Sequence, residues 1–144
     1  MKPNLNRRIT NLIFGICFAV SAISAFGQSS DPDRPTPLSN GTIIGETTGT
    51  LSDKKTYYYS FDVKPGTLTL TADMDPVKGT AGGVMYWTYL DSRFKQMKYD
   101  AWSAQGGPVR KINDSKVTIK RKIILKLEVE GQMTYKLKFS GTAL

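Results

Sequence analysis

From Gly41 onward, apolar and polar residues alternate with period two, interrupted at short intervals by turn residues, and no stretch carries a helical period. Tyr57, Tyr59, Phe61 and Val63 share one face of a predicted strand, with Tyr58, Ser60 and Asp62 on the other. Lys64-Pro65-Gly66-Thr67 follows as a turn, Pro fixing φ at its first central position and Gly supplying positive φ at the second. Leu68, Leu70 and Ala72 then share a face opposite Thr67, Thr69 and Thr71. Pairing across Pro65-Gly66 sets Val63 against Leu68 and Phe61 against Leu70, which makes one face continuously apolar.

The C-terminal end repeats the pattern. Ile123, Leu125, Leu127 and Val129 alternate with Lys126, Glu128 and Glu130. After Gly131, Tyr135, Leu137 and Phe139 alternate with Lys136 and Lys138. In a hairpin, both apolar sets share a face only if the loop has odd length. A three- or five-residue loop around Gly131 is therefore expected, with Glu128 opposite Lys136. Further strands are predicted at Thr42 to Glu46, Val84 to Leu90, Phe94 to Tyr99, Val109 to Ile112 and Val117 to Lys120. About eight short strands without helices predict an all-β, antiparallel sandwich or jelly roll over residues 41–144. A small closed barrel is the alternative.

The N-terminal 27 residues follow a different rule. Lys2, Arg7 and Arg8 precede an apolar run from Leu12 to Ile23, and Ala25-Phe26-Gly27 stands before Gln28. This is the layout of a cleaved secretory signal peptide. The apolar core is shorter than the roughly 20 residues that a membrane-spanning helix needs. Cys17 lacks the small preceding residue that lipid attachment requires, since Ile16 occupies that position, so it is assigned to the signal core. Residues 28–40, with Pro32, Pro35 and Pro37, read as a flexible leader before the domain. The expected location is secreted or periplasmic, with no membrane anchor after cleavage.

Composition then narrows the chemistry. There is no histidine, and the single cysteine falls within the signal. Without imidazole or thiolate, the usual zinc and copper ligand sets and the Ser-His-Asp and Cys-His catalytic arrangements are excluded. No disulfide is available, so apolar packing must hold the fold outside the cell. Twenty basic residues less Lys2, Arg7 and Arg8 leave 17 against 12 acidic ones, a mild excess that suits anionic glycan or lipid but also plain solubility. The densest basic run, Lys120-Arg121-Lys122, is too short to suggest nucleic acid.

Leu51-Ser52-Asp53, the strand Tyr57 to Val63, and Lys64-Pro65-Gly66-Thr67-Leu68-Thr69-Leu70 resemble the bacterial pre-peptidase C-terminal domain. Leu127-Glu128-Val129-Glu130-Gly131 followed by Tyr135-Lys136-Leu137 is similar to the last pair of strands in that family. The resemblance spans roughly Gly41 to Gly141 and implies a small non-catalytic β-sandwich. Such modules are usually appended to exported enzymes and assist secretion, folding or substrate attachment. This chain departs in having Gly83 to Asp91 where many relatives carry an Asp-Leu-Asp-Leu run, and it is expected to stand alone rather than beside a catalytic domain.

Five aromatic residues are the candidate ligand-binding set: Trp102, Tyr58, Trp87, Tyr86 and Tyr99. Exposed planar rings on a sandwich suit the C–H faces of sugars and lose little side-chain entropy on binding. Trp87 and Tyr89 share a face with Met85, whereas Tyr86 shares one with Val84 and Leu90, so one of these sets must be core. Asp73, Asp75 and Asp91 are sparse candidates for calcium, with too few oxygen ligands to predict a site. Glu128 and Glu130 point outward and mark no catalytic pair, and Ser115-Lys116 has no supporting context for a nucleophile. Lys120, Arg121, Lys122, Lys126, Lys136 and Lys138 form an expected basic outer face, which also deters edge aggregation. The expectation is a non-enzymatic module without cofactor that binds a glycan or cell-envelope component. The alternative is an accessory domain docking onto another exported protein or enzyme.

Overall fold

The computed structural model describes residues 28–144, so the expected signal peptide lies outside the described residues. Eight strands and no helix occur among them: β1 (Thr36–Pro37), β2 (Thr42–Thr48), β3 (Lys55–Val63), β4 (Gly66–Pro76), β5 (Gly83–Leu90), β6 (Gln96–Ala104), β7 (Val109–Val117) and β8 (Arg121–Ser140). They form a β-sandwich whose two sheets share β8. The first sheet has the order β1-β3-β8-β5-β6 and the second β2-β8-β4-β7. Every ladder is antiparallel except the two-residue pairing of β1 with β3.

The C-terminal hairpin expected at Gly131 is replaced by this one strand of 20 residues. Its first half lies between β3 and β5, and its second half between β2 and β4. The parity condition is met without any loop, because Ile123, Leu125, Leu127, Val129, Met133, Tyr135, Leu137 and Phe139 are all odd-numbered and all buried. Gly131 is the joint where the strand passes from one sheet to the other. Its φ is +88°, and a Cβ there would sit 2.2 Å from the Gly82 carbonyl oxygen. The Gly131 amide donates to Thr50 O at 3.0 Å and the Gln132 amide to Gly82 O at 2.8 Å. The buried Thr47 hydroxyl donates to the Gly131 carbonyl, so the crossing leaves these groups paired. Glu128 consequently stands beside Thr56 and Tyr86 rather than opposite Lys136.

The Pro65-Gly66 turn also differs from expectation. It arches between the sheets, with β3 in the first and β4 in the second, so Val63 and Phe61 do not pair with Leu68 and Leu70. The apolar faces nonetheless point at each other, now across the sandwich instead of side by side. Phe61 meets Phe139 at a ring separation of 4.9 Å, which joins the two sheets through the core. Leu68, Leu70, Met74, Leu125, Leu127 and Leu137 are fully buried, and each such side chain contributes about 1.5–3 kcal/mol.

Two other predicted strands merge. Val109 to Ile112 and the start of Val117 to Lys120 belong to the single strand β7, and residues 118–120 turn into β8. Phe94 lies in a turn, and the strand after it runs from Gln96 to Ala104. The proline-rich stretch 28–40 is laid along β3: Thr36 and Pro37 pair with Tyr59 and Ser60, the Tyr58 amide donates to Ser29 O at 2.8 Å, and the Leu38 amide donates to Ser60 O at 2.9 Å.

Candidate functional site

Alternation along β3, β8, β5 and β6 decides which side chains leave the first sheet outward. The registers align Tyr58, Lys126, Thr88 and Tyr99 in one row, and Thr56, Glu128, Tyr86 and Ala101 in the next. Three of the five aromatic candidates, Tyr58, Tyr86 and Tyr99, are thereby brought to one outer face. Tyr58 and Tyr99 stand three strand spacings apart, about 14 Å. Tyr99 is 49% exposed, and Tyr58 and Tyr86 are half-buried.

Tyr58 forms part of a trough of about 390 Å³ together with Pro32, Thr88, Leu90, Phe94, Gln96 and Lys126. Pro32 reaches it because the N-terminal segment is tied to β3. Phe94 reaches it from the β5–β6 turn, and alternation did not single this residue out as a candidate. Its φ of +60° is uncommon for a large side chain. Asp91 holds that turn: its Oδ1 accepts from the Arg93 amide at 2.8 Å and the Lys95 amide at 2.9 Å. The Asp91 and Phe94 amides donate to Lys95 O and Asp91 O, both at 3.0 Å. Hydrogen bonds from Lys95 and Arg93 lower the Asp91 carboxyl below its ordinary value. The available signal was Asp91 at the start of a five-residue link between two strands, a turn-forming acid that fixes whatever follows it.

Charge is concentrated beside the rings. Lys126 Nζ lies 3.1 Å from Glu128 Oε2 and Lys54 Nζ lies 3.9 Å from Glu128 Oε1. Lys54 also covers the Tyr86 ring at 4.2 Å from its centroid. The Tyr86 hydroxyl donates to Glu130 Oε1 at 3.1 Å, and this bond raises its pKa. Tyr86 is thus a braced ring, whereas Tyr99 and Phe94 are exposed and Tyr58, half-buried, presents its ring to the trough.

The two tryptophans are not part of this face. Trp87 is fully buried and Trp102 is 7% exposed, because the pairing of Met85 with Trp102 aims Met85, Trp87, Tyr89 and Trp102 into the core. Their rings lie 5.4 Å apart, and Trp102 Nε1 donates to Asp100 Oδ2 at 3.0 Å. Both are corrected from ligand-binding candidates to core residues.

The calcium candidates are not brought together. Asp73 and Asp75 leave the outer face of the second sheet, and Asp73 is 3.5 Å from Arg110 Nε, while Asp91 caps its own turn on the first sheet. No group of three His, Cys, Asp or Glu side chains arranged for a metal occurs among the described residues. The expected basic face is likewise divided: Lys122 and Lys126 leave the first sheet, and Lys136 and Lys138 leave the second, because β8 crosses between them. Ser115 and Lys116 alternate along β7, and the Ser115 hydroxyl accepts from Lys98 Nζ at 2.8 Å.

No protein-family model matches the chain, and no curated protein matches it either. Among solved structures the chain is similar to the pre-peptidase C-terminal domain of a collagenase from Bacillus anthracis. The alignment has 20% identity and a TM-score of 0.43, and covers 78% of this chain and 100% of that one.

Proposed function

We propose that this is a non-catalytic module acting outside the cytoplasm, which binds a glycan or other cell-envelope component on the outer face of its first sheet. The observation that carries the reading is that Tyr58 and Tyr99 leave the same outer face in one row, and that Tyr58 and Phe94 line a trough there with Thr88, Gln96 and Lys126. Rings at this separation offer apolar platforms to successive sugar units, and the hydroxyl, amide and ammonium groups between them offer hydrogen bonds to sugar hydroxyls. Strands hold the floor and Asp91 holds the turn, so little order is left to impose on binding.

Co-sedimentation with insoluble polysaccharides, including purified peptidoglycan, together with titration of soluble oligosaccharides, tests the reading. Saturable binding lost in the Tyr58→Ala/Phe94→Ala variant supports it. Absence of binding to every glycan, or binding unchanged in that variant, rules it out.

A second reading, docking onto an exported protein, draws on the other sheet, where Ile44 is 72% exposed and Ile112 63% exposed. Co-purification that is lost in Ile44→Glu but kept in Tyr58→Ala would favour it.

A further inference from the structure

The edge strands β6 and β7 flank the open side of the sandwich. Among the described residues β6 pairs only with β5 and β7 only with β4. A cleft of about 370 Å³ opens on this side, within the range of small-molecule sites. Leu68, Ile123 and the Tyr89 ring line its apolar interior, each more than nine-tenths buried. Its polar lining is mostly basic and hydroxylic, with Lys98, Ser115, Lys116, Thr118 and Arg121. Asp114 is the only carboxylate in the lining, and its Oδ1 accepts the Thr69 hydroxyl at 2.6 Å.

Three groups in this cleft differ in how their hydrogen-bonding capacity is used. Lys98 is spent: its ammonium donates to Asn113 Oδ1 at 2.6 Å, Asp114 O at 3.1 Å and Ser115 Oγ at 2.8 Å, tying β6 to β7. Arg121 is not. Its Nη1 reaches the Met97 sulfur, a weak acceptor, at 3.0 Å, and it makes no ion pair among the described residues. The Tyr89 hydroxyl is buried with no hydrogen-bond partner among the described residues. Burial raises its pKa, so at neutral pH it remains an O–H donor. Tyr59, Trp87 and Tyr135 carry buried polar atoms in the same condition, but of these four side chains Tyr89 is the one that lines a cleft also lined by an unpaired guanidinium.

We propose that this cleft binds a small amphipathic organic anion. Its hydrocarbon part lies against Leu68, Ile123 and the Tyr89 ring, and its anionic head is held by the Arg121 guanidinium and the Tyr89 hydroxyl. The site is separate from the trough on the outer face and shares no lining residue with it. Neither reading depends on the other.

Octanoate is the probe, followed by calorimetry and by tryptophan fluorescence, since Trp87 lies 4.9 Å from the Tyr89 ring. The expected result is saturable one-to-one binding of octanoate, with acetate and octanol each at least about tenfold weaker because each lacks one half of the chemistry. Tyr89→Phe and Arg121→Gln should each weaken octanoate about tenfold, the scale of a hydrogen bond to a charged group. Tyr89→Phe removes one unpartnered oxygen, so its melting temperature should not fall; should it fail to fold, Arg121→Gln on the rim decides the matter. Lack of saturable octanoate binding, acetate binding as tightly as octanoate, or unchanged affinity in the folded variants would each overturn the proposal.

Discussion

The outer faces of the two sheets come from the same alternation and the same shared strand, yet they are chemically unlike. On the first sheet the outward rows bring Tyr58, Tyr86 and Tyr99 together with Thr88, and Phe94 joins Tyr58 and Thr88 in the trough. Leu90 and Ile124, which also leave that face, are 8% and 5% exposed, so the surface is packed as well as ringed. On the second sheet the matching row runs Ile44, Lys136, Asp73, Arg110, all exposed. Its one ion pair among the described residues, Arg110 with Asp73, joins well-solvated partners and adds little to stability. Period two makes the inside certain and leaves the outside free, and this chain has used that freedom on one sheet only.

The comparison presumes that the sheets stand or fall together through β8, which the largest predicted effect tests. Gly131→Ala puts a Cβ 2.2 Å from the Gly82 carbonyl oxygen at a φ of +88°. Strain and clash together should cost about 3 kcal/mol or more. Urea unfolding should show one cooperative transition at lower denaturant; two separated transitions would mean that the sheets are independent. The next effect is alkaline. Desolvation by burial pushes the Tyr135 hydroxyl up to about 12 from an ordinary 10.0, and moves Tyr59 and Tyr89 upward too. The folded state holds protons that the unfolded chain releases first, so this stability is intact below pH 10 and is lost as pH rises toward 12. For Tyr135 alone, between 10.0 and about 12, the loss is roughly 2–3 kcal/mol. Urea midpoints should therefore fall steeply between pH 10 and 12, and less steeply in Tyr135→Phe.

These elements also show what alternation reveals and what it hides. The buried faces of β3, β4 and β8 were legible: Tyr59, Phe61, Val63, Leu68, Leu70, Leu125, Leu127, Leu137 and Phe139 are all core. Pairing was not legible, for one reason at both places where it failed. Gly66 and Gly131 each mark a break, and a local pattern does not say whether the chain there reverses within a sheet or crosses to the other one. Parity made the ambiguity worse at Gly131, since an odd loop and an unbroken strand satisfy it equally. Of the candidate rings, Tyr58 was correctly placed away from Tyr57 and Tyr59. Trp102 was not, because its inward aim depends on the register with Met85 rather than on its neighbours. Phe94 was missed because a turn, not a strand, presents it.

The proposed binding face is probed by removing its rings singly. Each aromatic contact is worth about 0.5–1.5 kcal/mol, so Tyr58→Ala and Tyr99→Ala should each weaken glycan binding about three- to tenfold. Tyr86→Ala should be compound, because Lys54 loses its ring partner and Glu130 its donor as well. A fall in melting temperature together with affinity in that variant, and in affinity alone for Tyr99→Ala, would sharpen the division between braced and accessible rings.

The smallest expected effect tests the contrast between the sheets most directly. Ile44 is 72% exposed and sits beside Lys136, the start of a row in which positive and negative side chains alternate across β8, β4 and β7. Ile44→Glu sets a carboxylate next to that lysine and removes apolar surface that contributes little to the core. Stability should change by no more than about 0.5 kcal/mol, as for other exposed positions, and glycan affinity should not change at all. If Ile44→Glu weakened glycan binding as much as Tyr58→Ala, ligand recognition would have to span both faces. The ringed sheet would then lose its claim to be the functional one, because a solvated charged lattice gives a sugar no flat apolar surface on which to stack.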